Sequence, residues 1–287
     1  MTDIHYHSAD GLTLYAKAYG PSDAPLTVLC MHGLTRNHRD FEPMIHALGG
    51  NRRYIAVDVR GRGQSQRATD RTSYAPLVYA QDMGSLLDTL GVRQVALIGT
   101  SMGGLMSLVM AKLMPRRLLG IVLNDVGPVI DPVGLDRIAG YAGDTTPFPT
   151  WESAAAAIAR TQGDVFPDFG EKDWMAFARR TCSETSDGQV AFDYDPAITR
   201  TVSDVRPTWR TRFAMWRLFG ATRKIPMLIL RGETSDLLAP TTAARMVRRH
   251  PDAEWVTVPR VGHAPILDEP VAVEAINRFL TRLDPTE

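Results

Sequence analysis

Cysteine is nearly absent: this sequence of 287 residues has two, Cys30 and Cys182. They are too few and too scattered for a disulfide framework or a metal cluster, and Cys30, inside the apolar run LTVLCMHG, reads as a buried, inert thiol. Charge of one sign is missing as well. Lys plus Arg and Asp plus Glu stand at 32 each, so no overall basic field exists to attract nucleic acid or an anionic membrane surface. No apolar stretch approaches the ~18 residues of a membrane span. The opening MTDIHYHSADG lacks the basic start and apolar core of a signal peptide, and a cytoplasmic location is the expectation. There is no Walker motif, no H-E-x-x-H and no cluster with metal-ligand spacing, so neither metal nor cofactor is expected. What is left is an ordinary globular composition, 44% hydrophobic and 22% charged, on a chain long enough to bury a sizeable core.

Short apolar runs recur along that chain and end in glycine, aspartate or a polar turn. They are LTVLCM (26–31), YIAV (54–57), VALIG (95–99), GIVLN (120–124), PMLILRG (226–232) and WVTV (255–258). None alternates cleanly, as expected of strands covered on both faces in a parallel sheet. Helical periods separate them. Tyr79, Met83, Leu86, Leu87 and Leu90 share one helix face, Gly103 to Met114 is apolar nearly all round before Pro115, and Ala272, Ile276, Phe279 and Leu283 mark a last amphipathic face. Alternating strands and helices predict an α/β fold, with residues 3–19 as a polar hairpin before it.

The alternation breaks over residues 128–222. This window holds four of the five tryptophans and reads as a helical cap laid over the sheet after its sixth strand, with 1–127 and 223–287 forming the core domain. Trp209, Phe213 and Trp216 fall on one helix face there and are the expected substrate-binding residues, the alternative being that such a stripe is the cap's own core.

Gly99-Thr100-Ser101-Met102-Gly103 matches G-x-S-x-G between a predicted strand and a predicted helix. A turn this tight has no room for side chains two before or two after the serine, and it thrusts the hydroxyl above the sheet edge. Serine needs a base to take its proton. His263, in GHAPILDEP, follows the last predicted strand and lies where a loop can reach Ser101. The imidazole then needs an acid to hold its tautomer. Asp236, in GETSDLLAP, is the preferred partner because its loop is long enough to turn a carboxylate inward. Asp125, in VLNDVGP, is the competitor, read as the anchor where the chain enters the cap. The oxyanion donors are expected to be the amides of Met102 and of Leu34 in HGL, with His32 buttressing that loop. Arg60 and Arg62, in VDVRGRGQS, are read as shaping a turn beside the site; the third glycine of a dinucleotide loop is missing.

Together HGL, DVRGRGQS, GTSMGG, SD and GHAP, in this order along essentially the whole chain, resemble the α/β-hydrolase superfamily. The resemblance implies an eight-stranded, mostly parallel sheet with helices on both faces, a helical cap inserted after strand 6, and a cofactor-independent hydrolase. The SMGG and DxRGxGxS forms are similar to a branch of esterases, enol-lactonases and hydrolases of meta-cleavage ring-fission products. A serine nucleophile sets the chain apart from dehalogenases and epoxide hydrolases, which carry aspartate. Thr100 and Ala264 stand where carbon–carbon hydrolases of this fold usually place asparagine and tryptophan. The expectation is a serine esterase or lactonase acting on a small, largely apolar substrate through an acyl-enzyme. The alternatives are a carbon–carbon hydrolase, or an apolar-ligand-binding protein with slow turnover. Arg206, Arg210, Arg212 and Arg217 near the aromatic stripe either face solvent or clamp a substrate carboxylate. The expected partner is the small ester or lactone, with no nucleic acid and no membrane; a homodimer is left open.

Overall fold

In the computed structural model, which describes residues 1–199 and 208–284, the chain opens with an antiparallel hairpin of β1 (Thr2–His7) and β2 (Thr13–Tyr19). Alternating strands and helices follow: β3 (Leu26–Met31), α1 (Glu42–Leu48), β4 (Arg52–Asp58), α2 (Pro76–Thr89), β5 (Val95–Thr100), α3 (Met102–Leu113) and β6 (Leu118–Asn124). Next comes an insertion containing α4 (Pro132–Tyr141), α5 (Trp151–Gln162), α6 (Glu171–Thr181), the small hairpin β7 (Cys182–Glu184) and β8 (Val190–Phe192), and α7 (Trp209–Gly220). The alternation then resumes with β9 (Met227–Gly232), α8 (Pro240–Arg249), β10 (Ala253–Val258) and α9 (Pro270–Thr281).

The main sheet has eight strands in the order β1-β2-β4-β3-β5-β6-β9-β10, and β2 alone runs against the others. Strand pleating explains why the apolar runs did not alternate in sequence. Leu29, Met31, Leu97, Ile121, Leu123 and Ile229 point into one apolar layer, while Val28, Cys30, Ala96, Ile98, Val122 and Leu230 point into the other, and all are buried. Helices α2, α3 and α8 contribute to the first layer through residues such as Met83, Leu87, Met106 and Met246. Helices α1 and α9 fill the second through Met44, Ile276 and Phe279. This is the α/β-hydrolase sheet with helices on both faces. No helix among the described residues is long and apolar enough to cross a membrane.

The insertion has an apolar cluster of its own, in which Trp174, Phe166, Phe177 and Ile158 are buried and Phe169 and Trp151 pack around them. Helix α5 starts cleanly because Thr150 and Ser153 cap each other reciprocally. The insertion is fastened to the sheet domain by backbone bonds: Gly63 N to Asp193 O (2.9 Å), Asp195 N to Gly61 O (2.7 Å) and Gly262 N to Val165 O (2.8 Å). Arg39 adds a side-chain clasp, donating to the carbonyls of Arg180 and Cys182 and to Asp193.

Candidate active site

Ser101 sits between β5 and α3 with φ 52° and ψ −109°, a backbone conformation L-residues avoid at a cost of roughly 1–3 kcal/mol. The flanking glycines make that bend possible. A methyl group on Gly99 would press against the Gly103 backbone, and one on Gly103 would sit on the Met31 carbonyl of β3. The serine amide donates to Asn124 O (2.9 Å), tying the bend to β6.

His263 lies in the loop between β10 and α9 and is buried. Its Nε2 is 2.9 Å from Ser101 Oγ, and its Nδ1 is 2.7 Å from Asp125 Oδ2. A carboxylate accepts hydrogen bonds, so Nδ1 carries the proton and Nε2 is left to accept from the serine hydroxyl. Asp125, the residue after β6, is fully buried, with φ 56° turning its side chain toward the histidine. Its carboxylate also accepts from Gly232 N (3.0 Å) and Ser235 Oγ (2.5 Å). Ser235 in turn accepts from the amides of Leu237 and Leu238.

The expectation that Asp236 holds His263 is corrected here. Asp236 is gripped by Arg137 of α4, through Nε (2.5 Å) and Nη2 (2.9 Å), and it makes no hydrogen bond to the imidazole. Burial raises the Asp236 pKa, but the Arg137 hydrogen bonds and charge outweigh it and hold the carboxyl below the usual range. The loop after β9 therefore supports the acid, through Ser235, instead of supplying it. Arg137 Nη2 also reaches the His263 carbonyl (3.4 Å). Asn124 was missed in the sequence reading: its Nδ2 donates to Thr100 Oγ1 (3.0 Å) and to Pro265 O (2.7 Å), linking the serine's strand to the histidine's loop. No sequence motif marks Ser235, Arg137 or Asn124 for these roles.

The Gly33–Leu34 loop abuts the serine, Gly33 lying close to Ser101 Cβ. Among the described residues neither the Leu34 nor the Met102 amide donates to a protein acceptor, which leaves both free for an oxygen bound at Ser101. His32 is fully buried behind them, with Nδ1 donating to Gly33 O (2.7 Å) and Nε2 accepting from Val59 N (3.1 Å). Burial pushes its pKa down to about 4, with the Gly33 bond opposing, so the ring stays neutral and braces the loop.

Ser101 and His263 open into a cavity of about 490 Å³ between the sheet edge and the insertion, within the range of small-molecule sites. Its apolar walls include Leu34, Ile138, Tyr141, Phe148, Ile158, Phe166, Phe192 and Leu267. The expected substrate-binding stripe is not among them. Trp209 and Phe213 are 73% and 62% exposed, and Trp216 packs on the sheet-side core with Arg245 and Arg249 stacked on its ring. Helix α7 docks through its second half, where Phe219 is buried and Met215, Trp216 and Leu218 are partly so, and its first turns project from the body. Arg210, Arg212 and Arg217 are exposed and outside the cavity wall, and Arg206 lies outside the described residues. Arg36 and Arg160 line the cavity instead, Arg36 paired with Asp40. No group of three or more potential metal ligands occurs among the described residues.

A serine on a strained strand-to-helix bend, in contact with a histidine from a late loop, over this sheet order, defines a hydrolase of α/β architecture. The chain belongs to the alpha/beta hydrolase family, whose model matches residues 28–276. It is 35% identical over 268 residues to a 3-hydroxybutyrate-oligomer hydrolase from Cupriavidus necator, covering 92% of this chain and 91% of that protein. It is 28% identical to a 2-(acetamidomethylene)succinate hydrolase from Mesorhizobium japonicum, covering 94% and 91%. Among solved structures, an alpha/beta hydrolase from Novosphingobium aromaticivorans superimposes with a TM-score of 0.91 at 44% identity, over 98% of both chains.

Proposed function

We propose that this chain is a serine hydrolase of carboxylic esters, with short hydroxyacid oligoesters and lactones as the substrate class to test first. The observation that carries the reading is the unbroken run of hydrogen bonds from Ser101 Oγ through His263 to the buried Asp125 at the floor of an apolar cavity. Ser101 Oγ attacks the ester carbonyl carbon while its proton passes to His263 Nε2. Asp125 holds the Nδ1 proton and stabilises the imidazolium. The carbonyl oxygen, now negative, is held by the Leu34 and Met102 amides, a donor of this kind being worth about 3 kcal/mol. The tetrahedral species collapses, the carbon–oxygen bond breaks, and the leaving alkoxide takes the proton from His263. Water then gives a proton to His263 and attacks the acyl-serine, releasing the acid and restoring Ser101. The insertion acts in this reading as a cap that encloses the acyl or alcohol part.

The similarity to a hydrolase of 3-hydroxybutyrate oligomers supports an ester whose acid and alcohol parts are both small. The test is labelling by a fluorophosphonate, mapped to Ser101, together with turnover of p-nitrophenyl esters and 3-hydroxybutyrate dimers and trimers. Ser101→Ala should lose both label and turnover. A folded wild-type protein that takes no label, or that releases one equivalent of the alcohol and stops, would refute the reading.

A further inference from the structure

Arg62 is the middle residue of Gly61-Arg62-Gly63, where both glycines have positive φ (76° and 53°) and the turn drives the arginine side chain inward to 1% exposure. Its Nε donates to Leu34 O (2.9 Å), its Nη1 to Arg60 O (2.8 Å) and to the Tyr79 hydroxyl (3.0 Å), and its Nη2 contacts Met102 Sδ (3.4 Å). Its guanidinium lies over the Tyr79 ring, 5.1 Å from the centroid.

Among the described residues no carboxylate shares this network. Arg60, two residues earlier and equally buried, is neutralised by Asp82 and Asp10. Arg62 forms no ion pair among the described residues: Asp195 binds the Tyr74 hydroxyl, and Asp58 is committed to His38 and to the Gln64 amide. Burying a guanidinium against neutral dipoles alone is costly, and folds ordinarily avoid it by pairing. Here the cation touches the two residues, beside Ser101, whose amides donate to no protein acceptor among the described residues. Its influence extends to the neighbouring loop, since after burial its charge is a further cause of the low His32 pKa.

We propose that Arg62 is the positioning and electrostatic backing of the oxyanion hole. The fork fixes the Leu34 carbonyl and the Met102 side chain, and its charge, unpaired among the described residues, stabilises the anionic tetrahedral stage more than the neutral bound ester. This rests on the serine-hydrolase reading above.

The experiment compares wild type with Arg62→Met, Arg62→Lys and Tyr79→Phe, counting competent sites by fluorophosphonate titration. It measures kcat per titrated site, KM, and Ki for a boronic acid, which forms an anionic tetrahedral adduct on serine. Arg62→Met should lower kcat per site about 30-fold and weaken the boronic acid by a similar factor, with KM within about threefold. Arg62→Lys, which keeps the charge without the fork, should fall between, and Tyr79→Phe should lose about threefold in kcat. A brace of purely structural importance would lower thermal stability and the number of titratable sites while leaving kcat per site and boronic-acid affinity unchanged, and that result overturns the proposal. Should Arg62→Met not fold, unchanged kcat and Ki in both Arg62→Lys and Tyr79→Phe overturn it equally. A wild-type protein that takes no label defeats the hydrolase reading itself, and this inference with it; a labelled wild type with unaffected variants defeats this inference alone.

Discussion

Asp125 Oδ2 lies 2.7 Å from His263 Nδ1, a contact between the end of β6 and the loop after β10 with no water-exposed surface on the carboxylate. Four polar groups converge on this side chain or its serine support, so its orientation is set before any substrate arrives.

Asp125→Asn should therefore cut kcat by on the order of 10³–10⁴, because an amide presents the wrong donor to Nδ1 and upsets the tautomer. Asp236→Asn should cost less than about tenfold, through its Arg137 partner and the His263 carbonyl that Arg137 reaches. Kinetics of the two variants on one p-nitrophenyl ester decide the matter. A larger loss in Asp236→Asn would reassign the acid.

Gly103→Ala should destabilise the fold by on the order of 3 kcal/mol or prevent folding, since the added methyl meets the β3 backbone and not a movable side chain. Gly140→Ala, where the new methyl meets nothing, is the control and should be close to neutral. Thermal denaturation of both, followed by circular dichroism, checks the contrast.

His32 gives a pH dependence whose sign can be worked out. Its folded-state pKa of about 4 is below the usual 6.5, so as pH falls the unfolded chain takes up the proton first. Stability contributed by the neutral ring is whole above ~6.5 and declines as pH drops toward ~4, by on the order of 3 kcal/mol in total. His32→Asn should show a shallower loss of stability across that window than wild type, measured by urea unfolding at a series of pH values. Parallel curves for the two proteins would rule out the buried neutral ring as the source.

Substrate contact should track the cavity wall. Trp209→Ala and Phe213→Ala are expected to leave KM and kcat within about twofold, as exposed side chains outside the cavity. Ile158→Trp, which fills part of the cavity from α5, should raise KM about tenfold for a bulky ester and less for an acetate. Steady-state kinetics on esters of increasing acyl length provide the comparison.

The sheet was readable because each central strand is a run buried on both faces, and such runs stand out between turn residues. The bend at Ser101 was readable too: glycines two before and two after a serine, between a strand and a helix, have few other physical reasons. The acid was not. Asp125 and Asp236 both follow parallel strands, and what separates them is the positive φ of Asp125 and the grip of Arg137, distant in sequence, on Asp236. The aromatic stripe of α7 failed for a related cause. Periodicity locates a helix face, but what that face meets depends on how the helix docks, and only its second half docks here. Arg62 looked like a turn-shaping residue because nothing in Gly-Arg-Gly reveals that the guanidinium is buried with no counter-ion among the described residues.

The bonds that join Gly61, Gly63 and Gly262 to the insertion, with the Arg39 clasp beside them, have a consequence for traffic. These ties hold the middle of the insertion, at Val165 and at 180–195, against the loops after β3, β4 and β10. On the proposed ester-hydrolase reading, admission to Ser101 is then expected to fall with the girth of the substrate, slim esters turning over faster than broad ones of equal reactivity.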